Sequence, residues 1–385
     1  MKVETMRKCV SRLAAVAFMA GVSLATTARA DELKVGLICP LSGAAAVFGE
    51  ESLRGAKMAV EEVNKSGILG KNTINLIAVD TGGNPNVAAQ AVQRMILADE
   101  VIAVLGGCTS AETAAAIEIT HEAKIPQISH LAIATELTQQ NNPWFVRITQ
   151  SARTFSYAAA QWAFDRQKIK RPYILARNDN FGMALASAFQ EGVKSKGSET
   201  VGFVAYEPNA KEFKPILDTM MNANPDFVAV LGFYTDGGLI VKQMTEMGIK
   251  LPVFANSSPG TPQYREIGGP GTDSTYGALF YLAGSINTPV GKKFLTDWQA
   301  KYNREPTQYE GMGYDVIYVL AEAIKSSANG GKPTPEGIRD ALHTIKNLDR
   351  ATGPITILAN GDAERPLPFV QLKNGKVELD FLLEK

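Results

Sequence analysis

The sequence predicts an α/β protein built from two doubly wound, Rossmann-like lobes. Three observations carry that reading. From Lys34 onward, short β-type runs alternate with amphipathic helical stretches, the mark of βαβ units on a parallel sheet. The alternation restarts after Arg147 on the same plan. The chain, at 385 residues and 45% hydrophobic, is long enough for two cores.

Taken in order, residues 34–39 form a first strand. A helix over 49–66 follows, with Leu53, Ala56, Val60 and Val63 on its apolar stripe. On its wet side, Glu50 with Arg54 and Glu61 with Lys65 sit four apart. Strand 73–80, helix 87–98, strand 101–106, helix 110–122 and strand 125–129 complete the first lobe. The second lobe runs through helix 154–167, strand 172–177, helix 181–194, strand 200–206, helix 213–222, strand 227–231 and helix 236–247. After strand 275–281 come three helices, 290–302, 309–327 and 334–345, then extended segments at 355–358 and 367–372. Asn374-Gly375 closes a hairpin with the pair favoured in type I′ turns. Helices that return this late imply that the backbone crosses between lobes more than once.

Composition removes several functions. Lys and Arg number 39 against 39 Asp and Glu, and no basic tract offers a nucleic-acid footprint. Three Cys cannot staple a chain this long. Lys2, Arg7, Lys8 and Arg12 precede the apolar run 13–25, and Ala28-Arg29-Ala30 precedes Asp31. This is the pattern of a secretory signal peptide cleaved after Ala30. The run falls short of the roughly 20 apolar residues that span a bilayer. Cys9 lies in the basic region, where it is not placed for lipid attachment. Cleavage leaves 34 basic and 38 acidic residues, a net charge of about −4, in an exported compartment, most simply the periplasm.

Enzyme signatures are missing. His121-Glu122 is followed by Ile125 where a zinc-binding helix needs its second His, and Gly291-Lys292 lacks the rest of a phosphate-binding loop. There is no G-x-S-x-G elbow and no Cys cluster at metal spacing. The expectation is a non-enzyme without cofactor or metal.

Ligands of open α/β sheets bind beyond the carboxyl ends of the strands, so the loops there matter most. In Gly106-Gly107-Cys108-Thr109-Ser110-Ala111-Glu112, Thr109 and Glu112 fit a capping box. The free N–H groups of that helix start favour an anion, although Thr109 could serve as a cap alone.

Several strings, in order, resemble the leucine/isoleucine/valine-binding family of type I periplasmic binding proteins. They are Pro40-Leu41-Ser42-Gly43 with Phe48-Gly49 and Gly55-Ala56; Asp80 with Asn84-Pro85; Ser129 with Glu136-Leu137-Thr138; the run 178–182; Lys242-Gln243; Tyr314-Asp315; and Gly353-Pro354-Ile355 with Asn360-Gly361-Asp362. The resemblance spans residues 34–380. It implies two lobes joined by three crossovers that close on a small solute, which an ABC permease then receives. On this chain the crossovers fall near Ser151, Ala283 and Gly353. The lobes are then 31–151 with 284–352, and 152–283 with 353–385, after a 1–30 signal peptide.

The resemblance also implies roles. Ser110, beside Thr109, matches the position that holds the solute carboxylate, and Leu131, Ala132 and Ile133 match the second segment of that pocket. Ile133 stands where amino-acid binders often have Thr, and Ser257 stands where the family's Glu pairs with the ammonium. Asp236 is a candidate replacement, or simply a helix cap. Phe48, Phe181, Tyr234 and Tyr309 are placed to wrap an apolar body, or to pack as core. His130 reads first as a satisfied structural residue. Cys39 and Cys108, at the carboxyl ends of neighbouring strands, form either a disulfide or two small buried thiols. The expected partners are a small carboxylate ligand and an ABC permease, with no nucleic acid, for a monomeric chain. The same fold also serves ligand sensors that feed a regulator, which is the alternative.

Overall fold

The computed structural model describes residues 31–328 and 332–384. The signal-peptide expectation lies outside them. Among the described residues, no helix is long and apolar enough to cross a membrane.

The first sheet holds β1 (Glu32–Cys39), β2 (Thr73–Asp80), β3 (Ala103–Gly106), β4 (Gln127–Ser129) and β5 (Phe145–Arg147), all parallel, in the order 2-1-3-4-5. Its connecting helices are α1 (Ala46–Ser66), α2 (Pro85–Leu97) and α3 (Ser110–Glu122). Local chemistry sets their ends. Gly67 takes the left-handed conformation that stops α1, at φ 69°. Asn84 caps α2 by accepting from Asn86 N at 2.9 Å, ahead of Pro85 at the first helical position.

The second sheet repeats that plan. β6 (Pro172–Arg177), β7 (Gly202–Tyr206), β8 (Phe227–Leu231), β9 (Val253–Phe254) and β10 (Tyr276–Ala278) lie in the order 7-6-8-9-10. β13 (Leu367–Lys373) and β14 (Lys376–Leu383) extend it as an antiparallel hairpin. Asn374 and Gly375 have φ of 48° and 73°, as a type I′ turn requires. Its helices are α4 (Ala152–Gln167), α5 (Asn180–Ser195), α6 (Lys214–Asn222), α7 (Tyr234–Glu246) and α8 (Pro262–Gly268). The sequence reading did not contain β5, β9 or α8.

The late helices α9 (Pro289–Tyr302), α10 (Gln308–Ala328) and α11 (Pro335–His343) follow, and α10 packs against both α1 and α11. α10 and α1 meet backbone to backbone. A Cβ on Gly55 would lie 2.0 Å from Glu310 O, and one on Gly313 would lie 2.1 Å from Ser52 O. Only glycine allows that approach.

One boundary moves. The third crossover was expected near Gly353, yet the following residues stay with the first sheet. Leu348 bridges Ile355, and β11 (Thr356–Ile357) pairs with β12 (Ala363–Glu364). Arg147 N donates to Gly361 O at 2.9 Å. The chain joins the second sheet only at Leu367, about a dozen residues later than expected, because the Asn360-Gly361-Asp362 turn is tied to β5.

Candidate functional site

The order 2-1-3-4-5 places a switch point between β1 and β3, and the same order in the second sheet places one between β6 and β8. Crevices beyond such points are where open sheets bind ligands. The candidate site collects the loops from both.

On the first lobe, Thr109 caps α3. Its Oγ1 accepts from Glu112 N at 3.3 Å and donates to Glu112 Oε2 at 2.8 Å, while Thr109 N donates to the same carboxylate at 3.2 Å. Burial raises the Glu112 pKa, against the lowering effect of bonds from Thr81 and Thr109. The expected capping box is present, and it occupies the Thr109 hydroxyl. Ser110 is differently engaged. It is fully buried, and its Oγ accepts from Ala134 N at 3.2 Å. That leaves its hydroxyl proton free to donate.

A buried arginine holds the Ala134 segment. Arg147 Nη1 donates to Ala134 O at 2.9 Å and to Ala132 O at 3.3 Å, and Nη2 donates to Thr138 Oγ1 at 3.0 Å. Its Nε donates to Asp362 Oδ1 at 2.6 Å. Burial draws the Arg147 pKa down, with Asp362 acting against the shift. The sequence reading did not single out Arg147.

Aromatic rings fill the space between lobes. Phe48 packs edge-on against Phe233, Tyr234 and Tyr309, with centroids 5.1, 5.5 and 5.0 Å away. Phe181 lies 5.3 Å from Phe233. All of these rings except Tyr234, with Phe280, Leu131, Thr109, Ser110, Cys108 and Ser257, line a cavity of about 20 Å³. That is room on the order of one water. Any solute therefore enters by parting the rings. A second compartment of about 150 Å³ shares Thr109, Ser110, Phe181 and Phe233, and adds Arg177 and Asp179.

Of the expected residues, the structure brings Ser110, Thr109, Leu131, Phe48, Phe181, Ser257 and Tyr309 to one cavity. Ala132 and Ile133 are buried behind it. Their carbonyls accept from Arg147 and from Ala152 N at 2.5 Å, respectively. Tyr234 touches the cavity's Phe48 without being part of the lining. Phe233 and Phe280 line it and were missed. Phe233 lies two residues beyond the β8 end at Leu231, a position that strand-end reasoning could have found.

No lining residue of the smaller cavity is acidic. Asp236 does not fill the gap left by Ser257. Its Oδ2 accepts from Arg177 Nη1 at 2.9 Å and from Phe233 N at 3.2 Å. Arg177 also binds Asp179 at 2.6 Å and lies over the Phe233 ring at 4.4 Å. Cys39 and Cys108 are joined as a disulfide across the first switch point, with Cα atoms 5.0 Å apart. His130 is fully buried, and burial pushes its pKa down to about 3.

Comparison with known proteins places this architecture. Residues 32–376 match the periplasmic binding protein family. The Leu/Ile/Val-binding protein homolog 3 of Brucella melitensis is 25% identical over 367 residues, covering 95% of this chain and 98% of that protein. The leucine-binding protein of Thermotoga maritima superposes with a TM-score of 0.87 at 27% identity, covering 91% of this chain and 99% of that one. A branched-chain amino acid transporter substrate-binding protein of Streptococcus pneumoniae, in complex with isoleucine, superposes with a TM-score of 0.85 at 24% identity, covering 92% and 100%. The chain therefore belongs to the periplasmic binding protein family, with the type I fold of its leucine/isoleucine/valine-binding group.

Proposed function

We propose that this protein is the periplasmic solute receptor of an ABC importer, and that it captures a small carboxylate-bearing solute with an apolar body. The observation that carries this reading is Ser110. It offers a buried hydroxyl with an unused proton at the N-terminus of a 13-residue helix, on the floor of an aromatic cavity. A carboxylate there accepts from the hydroxyl and the first free N–H groups, while Phe48, Phe181, Phe233 and Tyr309 enclose the body. The relatives named for leucine, isoleucine and valine support a branched-chain or related amino acid.

A second reading has its own observation. The lining of the inner cavity has no acid to meet an ammonium, since Ser257 is neutral and Asp236 is committed to Arg177. A buried ammonium without an anion is costly, which favours an aromatic or aliphatic acid that lacks the amine. On either reading the receptor is a monomer that bends at its three crossings, releases its solute to a permease and performs no chemistry on it.

Calorimetry on a panel of amino acids, their deaminated counterparts and benzoic acids tests both. Leucine, isoleucine or valine binding with micromolar affinity supports the first reading, and binding of only the amine-free acids supports the second. Binding confined to sugars or cations would overturn the carboxylate pocket.

A further inference from the structure

Topology gathers three donors that the sequence keeps apart: Cys39 at the end of β1, Cys108 after β3 and His130 after β4. All are buried, and their ligating atoms lie within 4.8 Å of one another. His130 Nε2 is 3.6 Å from Cys108 Sγ, and His130 Nδ1 has no hydrogen-bond partner. The solute site described above makes no use of this imidazole.

We propose that opening the Cys39–Cys108 disulfide converts this cluster into a binding site for a thiophilic cation, with copper(I) as its occupant. The reaction needs a dithiol reductant. Its thiolate attacks one sulfur to give a mixed disulfide, and its second thiol resolves that intermediate. The protein gains two electrons and two protons as Cys39 and Cys108 become thiols, and the reductant leaves as its own disulfide. Copper(I) then displaces both thiol protons and binds two thiolates and the His130 imidazole.

The donor set selects the ion. Two soft sulfurs and one imidazole suit copper(I), which three ligands satisfy, whereas zinc on the same donors needs a water as its fourth ligand, for which this buried cluster leaves little room. Among the described residues, the cluster contains no fourth His, Cys, Asp or Glu. Cys108 lines the cavity between the lobes, so the same parting of the rings that admits a solute supplies an entry path. This inference is independent of which solute the cleft takes.

The test uses purified protein that begins at Asp31 and so lacks Cys9, reduced with a phosphine under nitrogen and titrated with copper(I) against the competing chelator bicinchoninate. The reduced protein should withdraw one equivalent of copper(I) from the chelator, and the oxidised protein none. X-ray absorption should show two sulfur neighbours and one nitrogen. Cys39→Ser/Cys108→Ser should abolish uptake, and His130→Gln should weaken it by at least about tenfold. Circular dichroism checks that each variant remains folded. Uptake by the reduced protein no greater than by the double variant overturns the site, as does loss of the fold on reduction. Unchanged affinity in His130→Gln overturns the three-donor arrangement. Tighter binding of zinc(II) than of copper(I) in parallel titrations overturns the choice of ion.

Discussion

Replacing Arg147 with Met tests how the proposed carboxylate anchor is built. The guanidinium is fully buried and donates to Ala132 O, Ala134 O, Thr138 Oγ1 and Asp362 Oδ1. Removing one partner of a buried ion pair costs roughly 3–5 kcal/mol. Asp362 moderates that figure. Its side chain is 19% exposed, and it retains bonds from Thr138 at 2.8 Å and Asn360 at 3.2 Å. Two buried carbonyls lose their donors as well. The expected loss is therefore near the lower end, about 3 kcal/mol, read from urea unfolding followed by circular dichroism. Affinity should fall too, because Ala134 N fixes the Ser110 hydroxyl. Arg147→Lys restores a charge but not the fork, and should recover only part of both. A double-mutant cycle with Asp362→Asn isolates the pair from the two carbonyls. A loss below about 1 kcal/mol in Arg147→Met, with unchanged solute affinity, would refute the idea that this arginine organises the anchor.

Three further predictions follow from the same geometry. Ser110→Ala should weaken carboxylate binding by about 1–3 kcal/mol by calorimetry, since it removes a donor to a charged acceptor and strands the Ala134 N–H; unchanged affinity removes Ser110 from the site. Glu51 donates the pH dependence: burial raises its pKa from 4.5 to about 7, so the folded state keeps a proton that the unfolded chain releases. Stability should fall as pH rises from 4.5 through 7, by about 1–3 kcal/mol after allowing for partial exposure, and Glu51→Gln should flatten that slope in urea titrations; an unaltered slope contradicts the assignment. Arg365 joins two crossings, donating to Ile148 O at 3.0 Å and Thr352 O at 2.9 Å, so Arg365→Met should enlarge the solute-free radius of gyration in small-angle scattering; an unchanged radius counts against a hinge role.

Legibility in the sequence follows the range over which each structural cause acts. Strand Thr73–Asp80, helix Ser110–Glu122, strand Pro172–Arg177 and strand Phe227–Leu231 were readable to the residue, because alternation, capping and turn residues all act within a few positions. β5 and β9, at three and two residues, are too short to display any period, and only sheet pairing defines them. The third crossing moved for a related reason: Gly361 and Asp362 bind β5, more than 200 residues earlier in the chain, through contacts that no local pattern encodes.

The candidate site divides along the same line. Ser110 and Thr109 were legible because a helix start announces itself, and Phe48 and Tyr309 because the resemblance marks their positions. Asp236 stayed between two roles because its partner Arg177 lies 59 residues away, and a free acid and a neutralised one look alike in sequence; the structure gives it the capping role, accepting from Phe233 N. Phe233 was missed for a smaller cause. The helix was read from Asp236, but α7 begins at Tyr234, so Phe233 becomes its N-cap and turns its ring toward Phe48 and Phe181. A two-residue shift in a helix boundary therefore decides which neighbouring aromatic lines the cavity. The acid-free lining of that cavity is in turn the feature that opens the choice between an amino acid and an amine-free acid.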